Sequence, residues 1–147
     1  MKEAILHFAT VDNVAELEPI FTLYREFYGM ERDTQKAISF LKERIENNES
    51  VIIFAKRNKT IIGFTQLFPS FSSASLKKTY ILNDLYVLNS ERKQGVATML
   101  INKVLELAKK ENCARVSLST ANDNPAQLLY EEIGFKESTS KFYNYTL

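Results

Sequence analysis

The stretch NSERKQGVATMLINKV, residues 89–104, places small and basic residues directly before an apolar helical pattern. The first N–H groups of a helix lack intrahelical partners, and the helix dipole adds about half a positive charge there. Gly95 and Ala97 would let a diphosphate approach this backbone closely, while Arg92 and Lys93 add mobile positive charge. The stretch predicts a local anion site, with an ordinary turn as the alternative. It matches neither the P-loop nor the dinucleotide fingerprint, because it holds a single glycine and no Gly-Lys-Ser/Thr.

A strand and a long helix must hold such a site in place. The run TYILNDLYVL, residues 79–88, is typical of a central strand. Apolar residues between Val96 and Ala108 recur at steps of three and four, which predicts a helix that runs to about Asn112. RVSLST, residues 115–120, alternates like a second strand. A strand, a helix and a strand in this order form a βαβ unit with parallel strands and a right-handed crossover.

The rest of the chain predicts further strands and helices around this unit. In chain order they are a strand at 4–10, helices around 17–28 and 34–45, strands at 51–57 and 60–68, a short helix from Pro125 to Glu132, a further strand near Phe135 and a closing strand at 142–147. The strands at 51–57 and 60–68 are expected to form an antiparallel hairpin, and Pro69 is expected to end the second. This order predicts an α/β fold with a mixed, mostly antiparallel central sheet flanked by helices.

The composition fits one domain over residues 1–147, because 45% of the residues are hydrophobic and no compositional break divides the chain. The net charge of +1 gives no reason to expect a nucleic-acid or membrane partner. No apolar run approaches the roughly 20 residues of a membrane span, and the N-terminus lacks a signal-peptide pattern, so a cytoplasmic protein is expected. His7 and Cys113 show no metal-ligand spacing, and no metal is expected.

Arg92, Gly95 and Ala97 follow the pattern Arg or Gln, two residues, Gly, one residue, then Gly or Ala. The segment ANDNPAQLLYEEIGF, residues 121–135, adds an asparagine, a short helix, a tyrosine and a Gly-Phe end. Together these segments resemble the two cofactor motifs of the GCN5-related N-acetyltransferase (GNAT) superfamily, in the right order and about the right distance apart. The order of the predicted elements also agrees over essentially the whole chain. The resemblance implies the GNAT fold, with the βαβ unit as the acetyl-CoA-binding core.

The resemblance also implies which residues bind acetyl-CoA. The strand before the long helix carries a bulge in this family and diverges from its parallel neighbour. Its unpaired backbone groups, here those of Leu85, Tyr86 and Val87, would bind the pantetheine arm. The pyrophosphate would lie on the backbone amides of Arg92, Lys93, Gln94, Gly95, Val96, Ala97 and Thr98.

Tyr130 matches the tyrosine that gives a proton to the departing thiolate in this family. A phenol has a pKa near 10, close enough to that of a thiol to release its proton as charge builds on sulfur. Core packing is the alternative role. Asn124 resembles the asparagine that contacts the cofactor, but it lies six residues before the tyrosine instead of seven. Asp123 or Asn122 could take its place, and Asn124 could also simply cap the next helix.

The acceptor amine must be neutral to attack. A primary amine has a pKa near 10.4, so converting the ammonium to the free base at pH 7 costs on the order of 4 kcal/mol. Some members of the superfamily place a glutamate or histidine on the central strand, where this chain has Ile81 and Asn83. Asp84 is the nearest carboxylate and is predicted to act as the base or to anchor the amine. A capping or ion-paired Asp84, with deprotonation through ordered water, is the alternative.

Substrate specificity in the superfamily depends on segments that correspond here to residues 24–34 and 69–79. The first segment offers Tyr28 and Glu26, an aromatic and an acidic group that suit a cationic amine, and Asn83 is predicted to join them. The run FPSFSSASLKKTYILNDLYV resembles the Hpa2-type branch, which contains histone and polyamine acetyltransferases. This resemblance implies a polyamine, an amino acid or a peptide amine as the acceptor.

These features predict an acetyl-CoA-dependent N-acetyltransferase that modifies a primary amine of a small molecule by direct attack in a ternary complex. One alternative is a CoA-binding sensor or regulatory module without turnover, favoured by the lack of a base at Ile81 and Asn83. Another is an acetyltransferase of protein or peptide amines. The presence of Tyr130, the candidate acid, favours an enzyme over a sensor. The aromatic end FYNYTL predicts a homodimer that pairs through an exposed strand, with a strand inside the domain as the alternative.

Overall fold

The computed structural model describes residues 3–147 and contains a five-stranded sheet in the order β1-β2-β3-β4-β5. The first three pairings are antiparallel, and β4 and β5 are parallel. This confirms the predicted α/β class with a mixed, mostly antiparallel sheet. The strands are β1 (Ile5–Phe8), β2 (Val51–Arg57), β3 (Thr60–Ser72), β4 (Lys77–Val87) and β5 (Val116–Ser117), and the helices are α1 (Val14–Phe27), α2 (Thr34–Glu46), α3 (Val96–Lys110) and α4 (Gln127–Ile133).

Alternation along β2 divides the apolar core between the two faces of the sheet. Ile52 and Phe54 pack with the apolar stripes of α1 and α2 on one face. Ile53 and Ala55 pack with the stripe of α3 on the other. Because β2 and β3 are covered on both faces, their sequences are nearly continuous apolar runs instead of alternating ones.

Two predictions for the centre of the sheet need correction. Pro69 does not end a strand, since β3 continues to Ser72 and Pro69 pairs with Tyr80 of β4. The long hairpin of β3 and β4 carries the chain through the proline, and its connection is only residues 73–76. The strand predicted at 115–120 is reduced to β5, because the chain leaves β4 after Ser117.

The predicted strands near the C-terminus are wrong. No helix or strand lies between Phe135 and Leu147, and every residue from Lys136 onward is exposed. Aromatic residues favour a strand only where another strand can pair with them, and the short β5 leaves little to pair with inside this chain. The last helix also begins later than predicted, at Gln127.

A hydrogen-bonded cluster ties the end of α3 to β4. The buried Tyr80 hydroxyl lies 2.8 Å from Glu111 Oε1 and 2.9 Å from Oε2. Lys78 Nζ donates to the same carboxylate at 2.6 Å and lies 4.5 Å from the centroid of the Tyr80 ring. The cluster therefore fixes the far end of the helix whose first turn faces the predicted anion site.

Tyr80→Phe is expected to lower the free energy of unfolding by about 1 kcal/mol, because it removes a hydrogen bond to a charged acceptor without changing the ring volume. Urea unfolding followed by circular dichroism would measure the change. An unfolding midpoint equal to that of the unmodified protein would show that the cluster does not stabilise the fold.

Candidate active site

The turn before α3 has a backbone shape that suits an anion. Gly95 is the N-cap of α3 with φ +83°, and Lys93 is also left-handed with φ +63°. No side chain caps α3, so its first N–H groups remain available to an external acceptor. A Cβ atom built on Gly95 would meet nothing within 4 Å, so the turn has open space beside its backbone. This arrangement fits a diphosphate at the helix start.

Arg92 holds this turn against β4. Its Nε donates to the carbonyl of Val87 at 2.9 Å, and its guanidinium lies 5.4 Å from the centroid of the Tyr86 ring. Arg57 at the end of β2 forms an ion pair with Glu91 just before the turn. The expectation that Arg92 provides mobile charge is therefore wrong, because its side chain is anchored. Lys93 and Gln94 are exposed beside the open backbone.

The end of β4 presents an open edge. The pairing of β4 with β5 stops at Ile81 and Ser117, so β4 has no partner strand on that side up to Val87. Leu88 N donates to Ile62 O on the β3 side, and alternation then turns the backbone groups of Leu85 and Val87 towards the open edge. The Val87 carbonyl is already occupied by Arg92, which leaves Leu85 as the main backbone contact for an extended ligand.

A bulge in β4 directs Asp84 into the interior. Gln66 pairs with Asp84 and Leu67 pairs with Leu82, which leaves Asn83 as an extra residue on β4. Asp84 is 2% exposed and accepts hydrogen bonds from Gln66 Nε2 at 2.6 Å and Asn83 Nδ2 at 2.7 Å. Burial raises the pKa of the Asp84 carboxyl above its ordinary value, although these hydrogen bonds oppose the shift.

No cation neutralises this carboxylate within the described chain. Among residues 3–147, none of the ion pairs includes Asp84. Gln66 is also fully buried, and its Oε1 has no hydrogen-bond partner. An uncompensated buried carboxylate is costly, so this position is suited to an incoming cation.

Asp84 lies in a cleft between the sheet and the helices α1 and α2. The cleft has a volume of about 320 Å³. Its lining combines four aromatic side chains, three charged groups and two amides: Phe21, Tyr24, Arg25, Lys36, Ala37, Phe40, Gln66, Phe68, Asn83 and Asp84.

Tyr24 and Tyr28 of α1 and Tyr130 of α4 are the tyrosines that the candidate site could use. Tyr24 donates its hydroxyl to the Asn83 carbonyl at 3.2 Å, and its ring centroid lies 5.0 Å from that of Tyr28. Burial raises the pKa of Tyr24, and the nearby Asp84 charge raises it further. The pKa of Tyr130 on α4 is also raised by burial, with a smaller effect from Tyr28. Tyr130 packs with the apolar cluster on the α3 face of the sheet, and its role as the acid stays a prediction.

Two predicted residues have local partners instead. Glu26 forms an ion pair with Arg32 at 3.0 Å and does not line the cleft. Asn124 Oδ1 accepts a hydrogen bond from the backbone N of Ala126 at 2.9 Å, the capping-type role that was the alternative for this residue. Asn122 and Asp123 are exposed beside it.

The sequence-based prediction of the site did not include Gln66. Gln66 is a polar residue inside the apolar run TIIGFTQLF, which is a signal that a buried polar contact is required. Tyr24 belongs to the predicted specificity segment, residues 24–34, but its contact with Asn83 spans 59 residues of sequence and could not be predicted.

Metal and membrane signals are both absent from the residues that the structure describes. They contain no group of three or more His, Cys, Asp or Glu side chains that could hold a metal ion. None of the helices in the described chain is both long and apolar enough to cross a membrane.

An uncapped helix start, a parallel strand pair that separates after Ile81 and Ser117 and a buried carboxylate are the features expected of an acyltransferase that binds a CoA thioester. A model of the acetyltransferase (GNAT) family matches residues 17–135. The chain belongs to the GNAT family of N-acetyltransferases, which use acetyl-CoA as the acetyl donor.

Similar proteins agree with this assignment. An uncharacterized N-acetyltransferase of Bacillus subtilis (strain 168), YhfO, is 43% identical over 140 residues, which are 95% of this chain and 93% of that protein. A probable acetyltransferase of Haemophilus influenzae is 31% identical and covers 84% of each chain. The crystal structure of a probable acetyltransferase has 42% identity and a TM-score of 0.89, and it covers 97% of this chain and 96% of that one.

Proposed function

We propose that this N-acetyltransferase modifies the primary amine of a small molecule, by direct attack in a ternary complex at the cleft that contains Asp84. The observation that carries this proposal is the buried Asp84 carboxylate, which has a raised pKa and no cationic partner within the described chain. The cleft volume of about 320 Å³ lies within the range of small-molecule sites.

The donor site lies at the start of α3 and the open edge of β4. Acetyl-CoA, when bound, supplies an activated acetyl thioester. The N–H groups from Lys93 to Thr98 would bind its pyrophosphate, whereas the Arg92 N–H already donates to the Asn89 carbonyl at 3.4 Å. The backbone of Leu85 would bind the pantetheine arm, with Tyr86 and Val87 beside it. Asn124 would contribute to acetyl-CoA binding indirectly, by fixing the turn that it caps before α4.

Asp84 and Tyr130 would handle the protons. A carboxylate with a raised pKa is a stronger base, so Asp84 can bind an ammonium group and accept one of its protons. The amine then attacks the acetyl carbon with its lone pair, the C–S bond breaks, and the second proton that the nitrogen loses replaces the proton that Tyr130 gives to the thiolate. Tyr130 would donate its phenolic proton to the departing thiolate, directly or as a hydrogen bond, and the raised pKa of the phenol favours the hydrogen bond over full transfer. Tyr28 and Asn83 would position the amine between these two groups.

Gly95→Ala is expected to weaken acetyl-CoA binding by about fivefold or more, because the left-handed conformation costs an alanine about 1–2 kcal/mol. Relief of that strain would move the N–H groups that face the diphosphate. Isothermal titration calorimetry with acetyl-CoA would measure the change.

Gly29→Ala is the matched control for this change. Gly29 has a similar φ of +80° with equally open surroundings, but it lies between α1 and α2. The control should lose stability without losing affinity for acetyl-CoA. Equal affinities of the Gly95→Ala and unmodified proteins for acetyl-CoA would show that the turn is not part of the binding site.

A release assay for free thiol tests the proposed function. Acetyl-CoA at saturation should first raise the melting temperature, since it binds the folded state only. A panel of polyamines, amino acids, aminoglycosides and peptides would then be tested for amine-dependent thiol release. Release with small amines supports the proposal, release with peptides alone would contradict it, and stabilisation without any release would indicate a sensor.

A homodimer is proposed from the C-terminal segment, residues 142–147. Phe142 and Tyr145 are each 90% exposed, and neither packs against the described core. Two exposed aromatic side chains on an extended segment favour pairing with a second copy, such as at its short β5. We also propose that the protein acts in the cytoplasm, where acetyl-CoA is available. We further propose that it belongs to the Hpa2-type branch of the superfamily.

The double change Phe142→Ser and Tyr145→Ser should convert a dimer to a monomer, because it removes the aromatic surface that pairing would bury. Light scattering coupled to size-exclusion chromatography would measure the mass. Phe71→Ser, at the 77% exposed side chain near the end of β3, is the control and should leave the mass unchanged. A monomeric unmodified protein would contradict this proposal.

A further inference from the structure

The charged side chains that line the cleft differ in sign between its sheet side, at β4, and its helix side, at α1 and α2. Asp84 is the single carboxylate of the lining, whereas Arg25 of α1 and Lys36 of α2 are both cations. Tyr24 is the other titratable group, and burial raises its pKa so that it stays neutral. The cleft therefore offers one negative group to an amine, and its two cations could bind a negative group of the same ligand.

Arg25 is fixed in a position to bind an anion. Its Nη1 donates to the backbone carbonyl of Glu31 at 3.0 Å, which holds the guanidinium beside the connection between α1 and α2. No ion pair of residues 3–147 joins Arg25 to a carboxylate. An arginine of this kind keeps several N–H donors for a ligand carboxylate.

Lys36 adds a second cation at the first turn of α2. Its ammonium is 3.9 Å from Asp33 Oδ2, and its side chain is 87% exposed, so this contact is weak. The first turn of α2 also carries the positive end of the helix dipole, partly offset by the capping Asp33. Both features favour a negative group at this side of the cleft.

This charge pattern discriminates between amines. A polyamine places two or more positive charges in the cleft, and only one of them can contact Asp84 while the other meets Arg25 and Lys36. An amino acid places its amine at Asp84 and its carboxylate at the cations. The aromatic walls, including Phe21 and Phe40, would pack on its aliphatic stem.

We infer that the acetyl acceptor is a small amino acid or a close analogue, an amine that also carries a carboxylate. This inference rests on the proposed acetyltransferase function. Asp84 binds and deprotonates the amine, and Arg25 and Lys36 bind the carboxylate. Gln66 positions Asp84 by donating from its Nε2.

Matched pairs of acceptors test the inference with the unmodified protein. L-Lysine and cadaverine differ only in the carboxylate, as do L-ornithine and putrescine. The amino acid of each pair should have a kcat/KM at least about tenfold higher, which corresponds to about 1.4 kcal/mol. Equal or better use of the diamines, or acetylation of aminoglycosides alone, would overturn the inference and leave the acetyltransferase function intact. No release with any amine would contradict the function itself.

Charge-removing variants then locate the carboxylate. Arg25→Gln and Lys36→Gln should each raise KM for the amino acid by about fivefold or more, and neither should raise KM for the diamine. Lys36→Gln is the safer variant because this side chain has little structural contact. Lys103→Gln on α3, where Lys103 pairs with Glu106 and lies over the Phe8 ring outside the cleft lining, is the control and should change neither value. Equal increases in KM for the amino acid and the diamine would contradict the assignment.

Discussion

Asp84→Asn is expected to reduce kcat/KM by about 10²–10⁴-fold, the usual contribution of a positioned general base. Asparagine has nearly the same shape as aspartate but cannot accept the proton of the amine. Asp84 also provides the only negative charge in the lining of the cleft, so binding of the ammonium should weaken as well. Initial rates of thiol release at several amine concentrations would separate the two effects.

The same variant is expected to be at least as stable as the unmodified protein near neutral pH. The pKa of Asp84 is raised in the folded state, so the folded protein binds a proton more tightly there than the unfolded chain does. Stability then falls as the pH rises above the ordinary carboxyl pKa, and Asp84→Asn removes that loss. Rotation of the Gln66 amide would let its unpartnered Oε1 accept from Asn at position 84.

Melting temperatures measured between pH 4 and pH 8 would test this stability claim. The advantage of Asp84→Asn should shrink towards acid pH, where the carboxyl of the unmodified protein is protonated. Asp12→Asn, at an exposed aspartate before α1, is the control and should show no such trend. A variant that loses both activity and stability at every pH would indicate a structural role for Asp84.

Tyr130→Phe is expected to lower kcat by about 10²-fold and to leave the Kd for acetyl-CoA within about twofold. Phenylalanine keeps the ring, which is half-buried and packs edge-on against Phe135 at 6.2 Å, so the fold should not change. The lost hydroxyl is the proton donor proposed for the leaving thiolate. Steady-state kinetics and calorimetry on the same preparation would measure both quantities.

The tyrosine variant has a control at a distant phenol. Tyr143→Phe changes a tyrosine that is 82% exposed at the C-terminal segment, and its kcat should be unaffected. A Tyr130→Phe protein with unchanged kcat would assign Tyr130 to packing alone. A loss of affinity for acetyl-CoA with unchanged kcat would also contradict the role as an acid.

Much of the fold could be predicted from sequence because its signals are local. The apolar stripe of α3 and the turn at Asn58 between β2 and β3 depend on neighbours within a few residues. The end of β3 and the C-terminal strands depend on pairing with distant segments. A proline alone predicts a strand end at Pro69, but pairing with Tyr80 of β4 continues the strand past it.

The candidate site was predicted less completely, because a bulge reverses the facing of one side chain. Strict alternation would place Asp84 on the same face as Leu82, which packs towards α3. The extra residue Asn83 turns Asp84 to the opposite face, towards α1 and α2. Gln66 joins the site only through this register. The sequence could therefore name Asp84 as a candidate but could not show that it is buried without a cation.

The most direct test of the acetyl-transfer account is mass spectrometry of the reaction products. Acetyl-CoA and the best amine of the panel would be incubated with the unmodified protein and with Asp84→Asn. The account predicts one equivalent of N-acetylated amine for each equivalent of CoA released by the unmodified protein, and about 10²-fold less of both with the variant. CoA release without acetylated amine, or equal product from the two proteins, would contradict it.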